Sequence, residues 1–525
     1  MVPDADLSSG TGTVATTVCP FCGTGCGVLL EDAAAYPILN DSVARGGLCL
    51  RGWSTGELLG SPLRVTHTGT RRRGEPQRAA PAEPVLQGVA DRIRAIRERH
   101  GGSSIGILAS ARITVEESRL VCDLARSLGT PHVDSFQRLG CTPAAGASLD
   151  VIGEASRILV VGADLAARHP QVARRVLEAL SRGATVRYLG SRRMQHASLA
   201  GSHITCLPGG EVEAVGPTMS GEQVLWSSDL ALHGQAGPAL RRLGARGAGF
   251  LADYANQRAL IETGAFPQEG GAGAWEMLVR AAKGELKALL VFADDPFEFF
   301  PELAARAFAA LELVVVVDAV ATRSTQSADV VLPGALLAEK EGTLICLDGR
   351  TRALEPVQSP AGGLTEGEVA GWLMKLLDLD ASDAGAAAFA PGPDGPPPDT
   401  PTNEFPAVAA LDTGTLWNTH ALVRATVTAR REAWGPQADF PSGYVALSVE
   451  DAKALKVRTG GSVKVESDAG RLAASARVDP RVLDGTVLFP MSSWERAGSA
   501  LGALALDPCL RIPVFRPRAV RLSRG

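Results

Sequence analysis

The sequence has no long hydrophobic run and few aromatic residues. No apolar stretch approaches the ~20 residues of a membrane-spanning helix, since the longest, at 311–320, is interrupted by Glu312 and Asp318. Aromatic residues make up only 5% of the chain, which argues against a surface on which nucleic-acid bases stack. The first dozen residues are polar and acidic, without the basic and hydrophobic regions of a secretory signal. We therefore expect a cytoplasmic protein with no membrane span and no nucleic-acid partner.

Charge of either sign is not in excess, and histidine is scarce. The 52 basic and 57 acidic side chains leave a formal net charge of -5, too close to balance for a protein that binds polyanions or lipid headgroups. The 8 histidines include no H-E-x-x-H pair or other paired metal spacing. With 525 residues, of which 45% are hydrophobic, the composition is that of a globular protein with several domains.

Four zones follow one another along the chain. Residues 1–60 are rich in glycine and cysteine, as expected of a small module whose loops are held by metal ligands. From 61 to 380, β-branched runs such as SIGILAS, RILVVG and LVVVVDAV alternate with helical patterns such as VEESRLVCDLARSL, which predicts parallel sheets covered by helices. A Pro-, Gly- and Ala-rich linker is expected at 381–405. Short, evenly spaced strands predict a small β-barrel at 406–525.

Four of the 9 cysteines lie near the amino terminus. The motif CPFCGTGC, followed by GGLCLRG, places Cys19, Cys22, Cys26 and Cys49 at the spacing C-x2-C-x3-C-x22-C. Three close thiolates and one distant thiolate suit a four-cysteine iron-sulfur cluster, because one loop supplies three corners and a second segment closes the site. Zinc is the alternative, although zinc ribbons usually pair two C-x2-C motifs, and free buried thiols are a third alternative.

The cysteine motif and several later segments resemble the molybdopterin oxidoreductase superfamily, in particular the large (alpha) subunit of formate dehydrogenases. CPFCGTGCGV and LCLRG match the cluster motif of this family, and segments such as ADVVLPGALLAEKEGTL and ALDPCLRIPVFRPRAVRL follow in the same order. The resemblance implies an α/β molybdopterin-oxidoreductase fold. It comprises an N-terminal 4Fe-4S module at 1–60, two doubly wound α/β domains within 61–380 and a C-terminal dinucleotide-binding-type β-barrel at 406–525. In the family, the α/β domains and the barrel hold a Mo- or W-bis-pterin guanine dinucleotide.

The resemblance also assigns roles to single residues. A basic residue two positions after the fourth cysteine relays electrons between cluster and pterin in the family, and here it is Arg51; the alternative is a solvated surface arginine. Formate-oxidising members hold the metal through a cysteine or selenocysteine just after an Arg-Leu or Arg-Val pair. Here Arg138 and Leu139 are followed by Gly140, which has no side chain to offer. Cys141 comes next and can replace this ligand if the loop shifts by one residue; the alternative is an ordinary buried thiol.

Positions that touch the dinucleotide in the family are partly altered here. The residues that the resemblance assigns to cofactor binding are Asp164, His169, Arg192, Arg193 and Glu211. Alternatively, His169 is a helix cap, because it precedes a helix-starting proline. The aspartate expected before the two arginines is replaced by Gly190, and further donors are missing from RATVTARR and SALGAL. Such losses are typical of members that keep the fold without the cofactor, such as the large iron-sulfur subunit of respiratory complex I.

Two functional hypotheses follow. In the first, the chain is an iron-sulfur electron-transfer subunit of a redox complex, with the usual metal ligand replaced by Gly140 and with partner subunits that carry iron-sulfur or flavin centres. In the second, it is an active Mo- or W-bis-pterin oxidoreductase of the formate dehydrogenase or nitrate reductase type, which passes electrons through its 4Fe-4S cluster. A third, non-redox hypothesis is an assembly scaffold in which the cluster is only structural.

Overall fold

The computed structural model describes residues 14–72, 75–141, 146–194, 202–217, 219–244, 248–380, 388–430, 440 and 443–525. Near the amino terminus three antiparallel strands form a small sheet: β1 (Val14–Val18), β2 (Gly27–Glu31) and β3 (Ala34–Pro37). The segment 19–26 connects β1 to β2, and the short helix α1 (Leu50–Trp53) begins directly after Cys49. Connections between elements therefore present all four cysteines of the motif.

A seven-stranded sheet combines two separate stretches of the chain. Its strands are β4 (Gly69–Thr70), β5 (Arg78–Ala79), β6 (Ile105–Leu108), β7 (Val133–Asp134), β13 (Ala288–Phe292), β14 (Leu313–Asp318) and β15 (Val330–Pro333). Their order is β5-β4-β15-β14-β13-β6-β7, and neighbouring strands are parallel except for the antiparallel pairs β15–β4 and β4–β5. The surrounding helices are α2 (Ala82–His100), α3 (Val115–Leu128), α11 (Ala274–Ala282), α12 (Pro301–Ala310), α13 (Arg323–Ser327) and α14 (Glu366–Leu376). Strands β6, β13 and β14 are buried throughout, as parallel strands with covered faces are.

A second, five-stranded sheet is parallel throughout. Its strands are β8 (Arg157–Val161), β9 (Thr185–Gly190), β10 (Ser202–Thr205), β11 (Gln223–Ser227) and β12 (Gly249–Leu251), in the order β10-β9-β8-β11-β12. Its helices are α4 (Leu149–Glu154), α5 (Leu165–Arg168), α6 (Pro170–Ser181), α7 (Glu211–Ala214), α8 (Ser228–Leu232), α9 (Ala236–Arg242) and α10 (Gln257–Thr263). The alternation of strand and helix that the sequence predicts for 61–380 is confirmed. Its parallel strands are distributed over two separate sheets.

The carboxyl-terminal part forms a closed six-stranded barrel. Its strands are β18 (Ala407–Asp412), β19 (Tyr444–Leu447), β20 (Ser462–Glu466), β21 (Arg471–Val478), β22 (Thr486–Pro490) and β25 (Arg518–Arg524), in the order β18-β22-β19-β21-β20-β25. Its helices are α15 (Ala421–Arg424), α16 (Val449–Ala454) and α17 (Trp494–Ala500). Two hairpins complete the strands: β16 (Gly342–Ile345) with β17 (Thr351–Leu354), and β23 (Leu504–Leu506) with β24 (Pro513–Phe515). The predicted β-barrel is confirmed.

The linker that the sequence predicts at 381–405 is only partly within the described residues. Residues 381–387 lie outside them, and 388–406 contain no helix or strand. The predicted boundaries at 60, 380 and 405 stay predictions. None of the described helices has both the length and the apolar character needed to cross a membrane.

The carboxyl ends of both parallel sheets meet residues of the carboxyl-terminal part. Arg192, after β9, forms an ion pair with Asp412 at the end of β18. Glu298, after β13, accepts a hydrogen bond from the amide of Ala421 at the start of α15. In open α/β sheets ligands bind outside the carboxyl ends of the strands, so the candidate site lies along this contact.

Candidate functional site

The four cysteines of the motif lie on two loops that approach each other. Cys19 follows β1, and its amide donates to the carbonyl of Cys26 (2.8 Å), which closes the loop that carries Cys22. Cys49 stands at the amino-terminal end of α1. The first three are at most 6% exposed, and Cys49 is half-buried. The loop closure brings three thiols together, and α1 supplies the fourth.

The four thiols influence one another electrostatically. Burial raises the pKa of Cys19, and the neighbouring thiols of Cys22 and Cys49 raise it further. Burial also raises the pKa of Cys26 well above its usual range, and the other three thiols add to the effect. At Cys22 burial raises the pKa while the charge of Arg51 opposes the rise. Ionisation of these thiols is therefore unfavourable without a bound cation. Metal cations stabilise thiolates, as they do in metal-binding cysteine sites.

The arrangement differs from that around a single metal ion. Within the part of the chain that the structure describes, no three His, Cys, Asp or Glu side chains surround a position for one ion. In a 4Fe-4S cluster each cysteine binds a different iron, so the four sulfurs stand farther apart than the ligands of one tetrahedral zinc. The assignment of the four cysteines to a 4Fe-4S cluster rather than to zinc stays a prediction from their spacing.

An aspartate and an arginine outside the motif hold the cysteine loop. Asp41 accepts hydrogen bonds from the amides of Gly27 (3.2 Å) and Ala44 (2.6 Å). Arg352, on β17, donates to the carbonyl of Gly25 (3.0 Å), and its Nη1 lies 2.6 Å from Asp41 Oδ1. Burial raises the pKa of Asp41, but these amides and Arg352 outweigh it and leave the pKa below its ordinary value. The pair ties the cysteine loop to two distant segments.

The same loop leaves no space for a side chain at Gly25. Its φ is +77°, and a Cβ there would lie 2.2 Å from Cys346 Sγ. Glycine is therefore required both by the backbone conformation and by the close approach of the β16–β17 hairpin. Sequence reasoning missed Asp41 and Arg352, because neither of them belongs to a motif.

Arg51 is buried, so the alternative of a solvated surface arginine is wrong. It is 4% exposed and donates to the carbonyls of Ala167 (3.1 Å) and Arg168 (2.9 Å) at the end of α5. Its guanidinium carbon lies 4.1 Å from the centre of the Trp417 ring, at cation-π distance. Arg51 therefore joins the cysteine site to the five-stranded sheet and to the carboxyl-terminal part. Its assignment as an electron relay stays a prediction.

Three of the five predicted cofactor-binding residues line one small cavity. Asp164, Arg192 and Glu211 lie around a space of about 20 Å³, enough for about one water molecule. Each of the three has a partner within the protein. Asp164 accepts from the amide of Ala167 (3.2 Å), Arg192 pairs with Asp412, and Glu211 accepts from the side-chain amide of Gln235 (2.5 Å). As they lie, these residues do not fit a pterin dinucleotide at this cavity.

The other two predicted residues lie elsewhere. His169 is fully buried, and its Nε2 is 3.2 Å from Asp253 Oδ1. It is the N-cap residue of α6, directly before Pro170, so the alternative of a helix cap is confirmed, although the His169 side chain makes no capping hydrogen bond. Arg193 has an exposed side chain, and its amide donates to the carbonyl of Arg481 (2.8 Å). Neither residue lines the cavity of Asp164.

The position that the resemblance assigns to the metal ligand, Gly140, has no room for a side chain. Gly140 has a φ of +85°, and a Cβ there would lie 2.3 Å from the Cβ of Ala231 on α8. Arg138, also fully buried, donates to Asp134 Oδ1 (2.7 Å) and to the carbonyl of Leu510 (2.8 Å), which holds the turn in place. Cys141 is fully buried in the apolar core around the five-stranded sheet, which favours the alternative of a core thiol.

Two family models match the chain. Residues 216–366 match "Molybdopterin oxidoreductase", and residues 416–516 match "Molydopterin dinucleotide binding domain". The NADPH-Fe(3+) oxidoreductase subunit alpha of Geobacter sulfurreducens is 24% identical over 633 aligned positions, covering 91% of this chain and 71% of that protein. Formate dehydrogenase H of Escherichia coli is 24% identical over 690 positions, covering 97% of this chain and 95% of that protein.

The fold is also that of a solved structure. Acetylene hydratase from Pelobacter acetylenicus superposes with a TM-score of 0.70 at 13% sequence identity, covering 97% of this chain and 100% of that chain. At this identity the likeness concerns the fold alone. The two domain matches and the alpha-subunit relatives agree with it. Residues 216–366 and 416–516 therefore match molybdopterin oxidoreductase domain models, and over most of its length the chain is similar to an oxidoreductase alpha subunit and to a formate dehydrogenase.

Proposed function

We propose that the chain is an iron-sulfur electron-transfer subunit of a redox complex, built on a formate-dehydrogenase-like molybdopterin oxidoreductase fold. One observation carries the proposal: all four cysteines of the motif are present, three of them buried, while Gly140 faces Ala231 and has no room for a ligand side chain. Formate-oxidising members hold the metal through a side chain at this point, whereas an electron carrier needs only its cluster. The chain therefore keeps the part that moves electrons.

Cys19, Cys22, Cys26 and Cys49 would hold the cluster, which supplies one-electron transfer when bound. Arg51 brings a positive charge to this group and lowers the pKa of Cys22 against the effect of burial. Such a charge stabilises an anionic cluster. Asp41 and Arg352 keep the loop closed, and the apolar surroundings exclude water from three of the four thiols.

The proposed partner is a subunit with an iron-sulfur or flavin centre. Apolar side chains are exposed beside Cys49: Leu50 and Trp53 on α1 are 42% and 46% exposed, and Leu39 is 79% exposed. Tyr36 packs edge-on against Trp53, with ring centroids 6.4 Å apart. Exposed apolar residues grouped in this way are typical of protein contact surfaces. They lie next to the most exposed of the four cysteines, which is where an electron leaves by the shortest route.

An active Mo- or W-bis-pterin oxidoreductase is the second candidate. It is favoured by the match of residues 416–516 to a dinucleotide-binding domain. Against it stand the cavity of about 20 Å³ at Asp164, the ion pair of Arg192 with Asp412, and the space filled by Ala231. Formate dehydrogenase H aligns over 690 positions, so that enzyme has internal segments for which this chain of 525 residues has no counterpart.

Metal analysis of anaerobically purified chain separates the candidates. Iron near four atoms per chain without molybdenum or tungsten supports the electron-transfer subunit, and about one molybdenum or tungsten supports the enzyme. Cys22→Ser should abolish the visible absorbance of the cluster. Cys206→Ser, at a half-buried cysteine outside the motif, is the control and should leave it intact. Zinc without iron, or an unchanged spectrum of Cys22→Ser, would overturn the ligand assignment.

A further inference from the structure

Four buried acidic residues lie together at the carboxyl ends of the seven-stranded sheet. Asp294, Asp295 and Glu298 follow β13, Asp318 ends β14, and each is at most 7% exposed. Arg112, from the loop after β6, donates to both carboxylate oxygens of Asp318 (3.1 and 2.9 Å). Arg112 is thereby committed to Asp318. The first three carboxyl groups form what we call the acidic centre.

Asp294 is held by neutral donors. Its Oδ2 accepts from the amide of Phe136 (2.8 Å) and the hydroxyl of Ser135 (3.1 Å), and its Oδ1 accepts from the amide of Asp295 (2.9 Å). Burial raises the pKa of Asp294 to about 7, although the Phe136 amide opposes the rise. Burial also raises the pKa of Glu298 well above its ordinary value, and Asp295 adds to the rise. At neutral pH a modest change in the local charge therefore changes the number of protons that the acidic centre holds.

Several buried polar atoms around the centre lack a hydrogen-bond partner among the described residues. They are Asp295 Oδ2, Glu298 Oε2, Tyr254 Oη and His420 Nε2. Burial raises the pKa of Tyr254 well above its ordinary value, and the charges of Glu298 and Asp294 add to the rise, so its hydroxyl lies within electrostatic reach of both carboxylates. Unpaired buried oxygen atoms are costly unless they bind a proton or a small polar ligand, so the centre has open capacity for one.

A row of rings connects the acidic centre to the cysteine site. Tyr254 stacks on His420, with centroids 5.0 Å apart and planes at 17°. His420 lies 5.0 Å from Trp417, and the guanidinium of Arg51 lies 4.1 Å from the Trp417 ring. Buried rings rather than water lie between the cysteine site and the acidic centre. The electrostatic interaction between the two sites is therefore only weakly screened.

We propose that the acidic centre binds one proton when the cysteine site takes up one electron. The inference rests on the proposed function, because it requires a redox-active cluster at Cys19, Cys22, Cys26 and Cys49. An external one-electron donor is oxidised and the cluster is reduced by that electron. A solvent proton forms one O–H bond with a carboxylate of the centre, so the added negative charge is compensated and no other bond changes.

The groups that face the centre from other elements keep their charge. Burial raises the pKa of Tyr254, so its hydroxyl stays protonated. Burial, followed by the charges of Arg112 and Arg51, holds the pKa of His420 well below its ordinary value, so the ring stays neutral. Burial disfavours the charge on Arg112, but Asp318 outweighs it and raises the pKa. Burial raises the pKa of Asp295, and the hydrogen bond from Ser324 and the positive charge of Arg424, at the end of α15, oppose the rise.

The test is a redox titration of the full chain under anaerobic conditions, followed by electron paramagnetic resonance, between about pH 6 and about pH 9. Reduction raises the proton affinity of the centre, so the midpoint potential should fall as the pH rises above about 7. The slope cannot exceed ~59 mV per pH unit, the equivalent of a tenfold change for one electron. Asp294→Asn keeps an oxygen for the Phe136 amide and should abolish or flatten this slope. Glu302→Gln, at an exposed carboxylate on α12, is the control and should keep it.

Each outcome has a separate meaning. A pH-independent potential in the unmodified chain overturns the inference and leaves the cluster in place. Absence of a reducible cluster overturns the proposed function itself. If Asp294→Asn does not fold, Glu298→Gln replaces it as the test. A slope that survives in the folded variants shows that the proton binds elsewhere and refutes the acidic centre.

Discussion

Replacement of Gly140 by alanine tests whether this position has room for a side chain. Its φ of +85° lies in the left-handed region, which costs an L-residue about 1–2 kcal/mol. The new Cβ would also lie 2.3 Å from the Cβ of Ala231, and overpacking of a buried site costs about 1–3 kcal/mol. Gly140→Ala should therefore lower the free energy of unfolding by about 2–5 kcal/mol.

Gly183→Ala is the matched control for this change. Gly183 has a φ of +90°, and a Cβ there would have no atom within 4 Å, so the variant reports the backbone cost alone. The double variant Gly140→Ala with Ala231→Gly removes the steric contact and should recover part of the free energy of unfolding that Gly140→Ala loses. The single variant Ala231→Gly completes the double-mutant cycle. Urea titrations followed by circular dichroism compare the four variants. If Gly140→Ala costs no more than Gly183→Ala, position 140 accepts a side chain and the argument against a metal ligand there fails.

Two further predictions concern charged pairs. Arg352→Met removes the donor to the Gly25 carbonyl, so the cluster absorbance of this variant should bleach faster in the presence of chelator and air. In the control Arg350→Met, at an exposed arginine of the same hairpin, the absorbance should bleach at the rate of the unmodified chain. Equal bleaching rates in the two variants would contradict the role of Arg352. Burial raises the pKa of Asp479, but hydrogen bonds from Arg481 outweigh it and hold the pKa at about 2, below the ordinary 3.8. The Asp479 carboxylate therefore stabilises the fold above about pH 4 and loses this effect as the pH falls toward about 2, so Asp479→Asn should cost about 2 kcal/mol at neutral pH. Urea titrations at decreasing pH measure this cost, and a cost that does not shrink would refute the assignment.

Regular elements and the cysteine set could be predicted because their signals are local. The β-branched runs SIGILAS, RILVVG and LVVVVDAV contain β6, β8 and β14, and VEESRLVCDLARSL is α3. Helix α3 begins at a capping box, in which Thr114 and Glu117 bond to each other's amides, a pattern visible within four residues. Gly140, at the position that the resemblance assigns to the metal ligand, can also be read directly from the sequence. The resemblance to the family added the order of the domains.

The surroundings of each site could not be predicted in this way. Arg51 meets Trp417, and Asp41 meets Arg352, across more than 300 residues of chain. Three of the predicted cofactor residues do line one cavity, but Asp412, the ion-pair partner of Arg192, comes from the barrel. Such contacts depend on how sheets and barrel dock, and one sequence without further information does not specify that docking.

By itself, the sequence determined which side chains this protein has available: four cysteines at cluster spacing, an arginine two residues after the fourth, and a glycine where the resemblance places a metal ligand. These follow from residue identity and short spacing. Only the tertiary structure decided what surrounds them. It buried Arg51 against Trp417, filled the space at Gly140 with Ala231, and collected Asp294, Asp295 and Glu298 beside His420. The physical reason is that burial and electrostatic environment belong to the packed arrangement of distant segments, whereas metal-binding chemistry belongs to the side chains themselves.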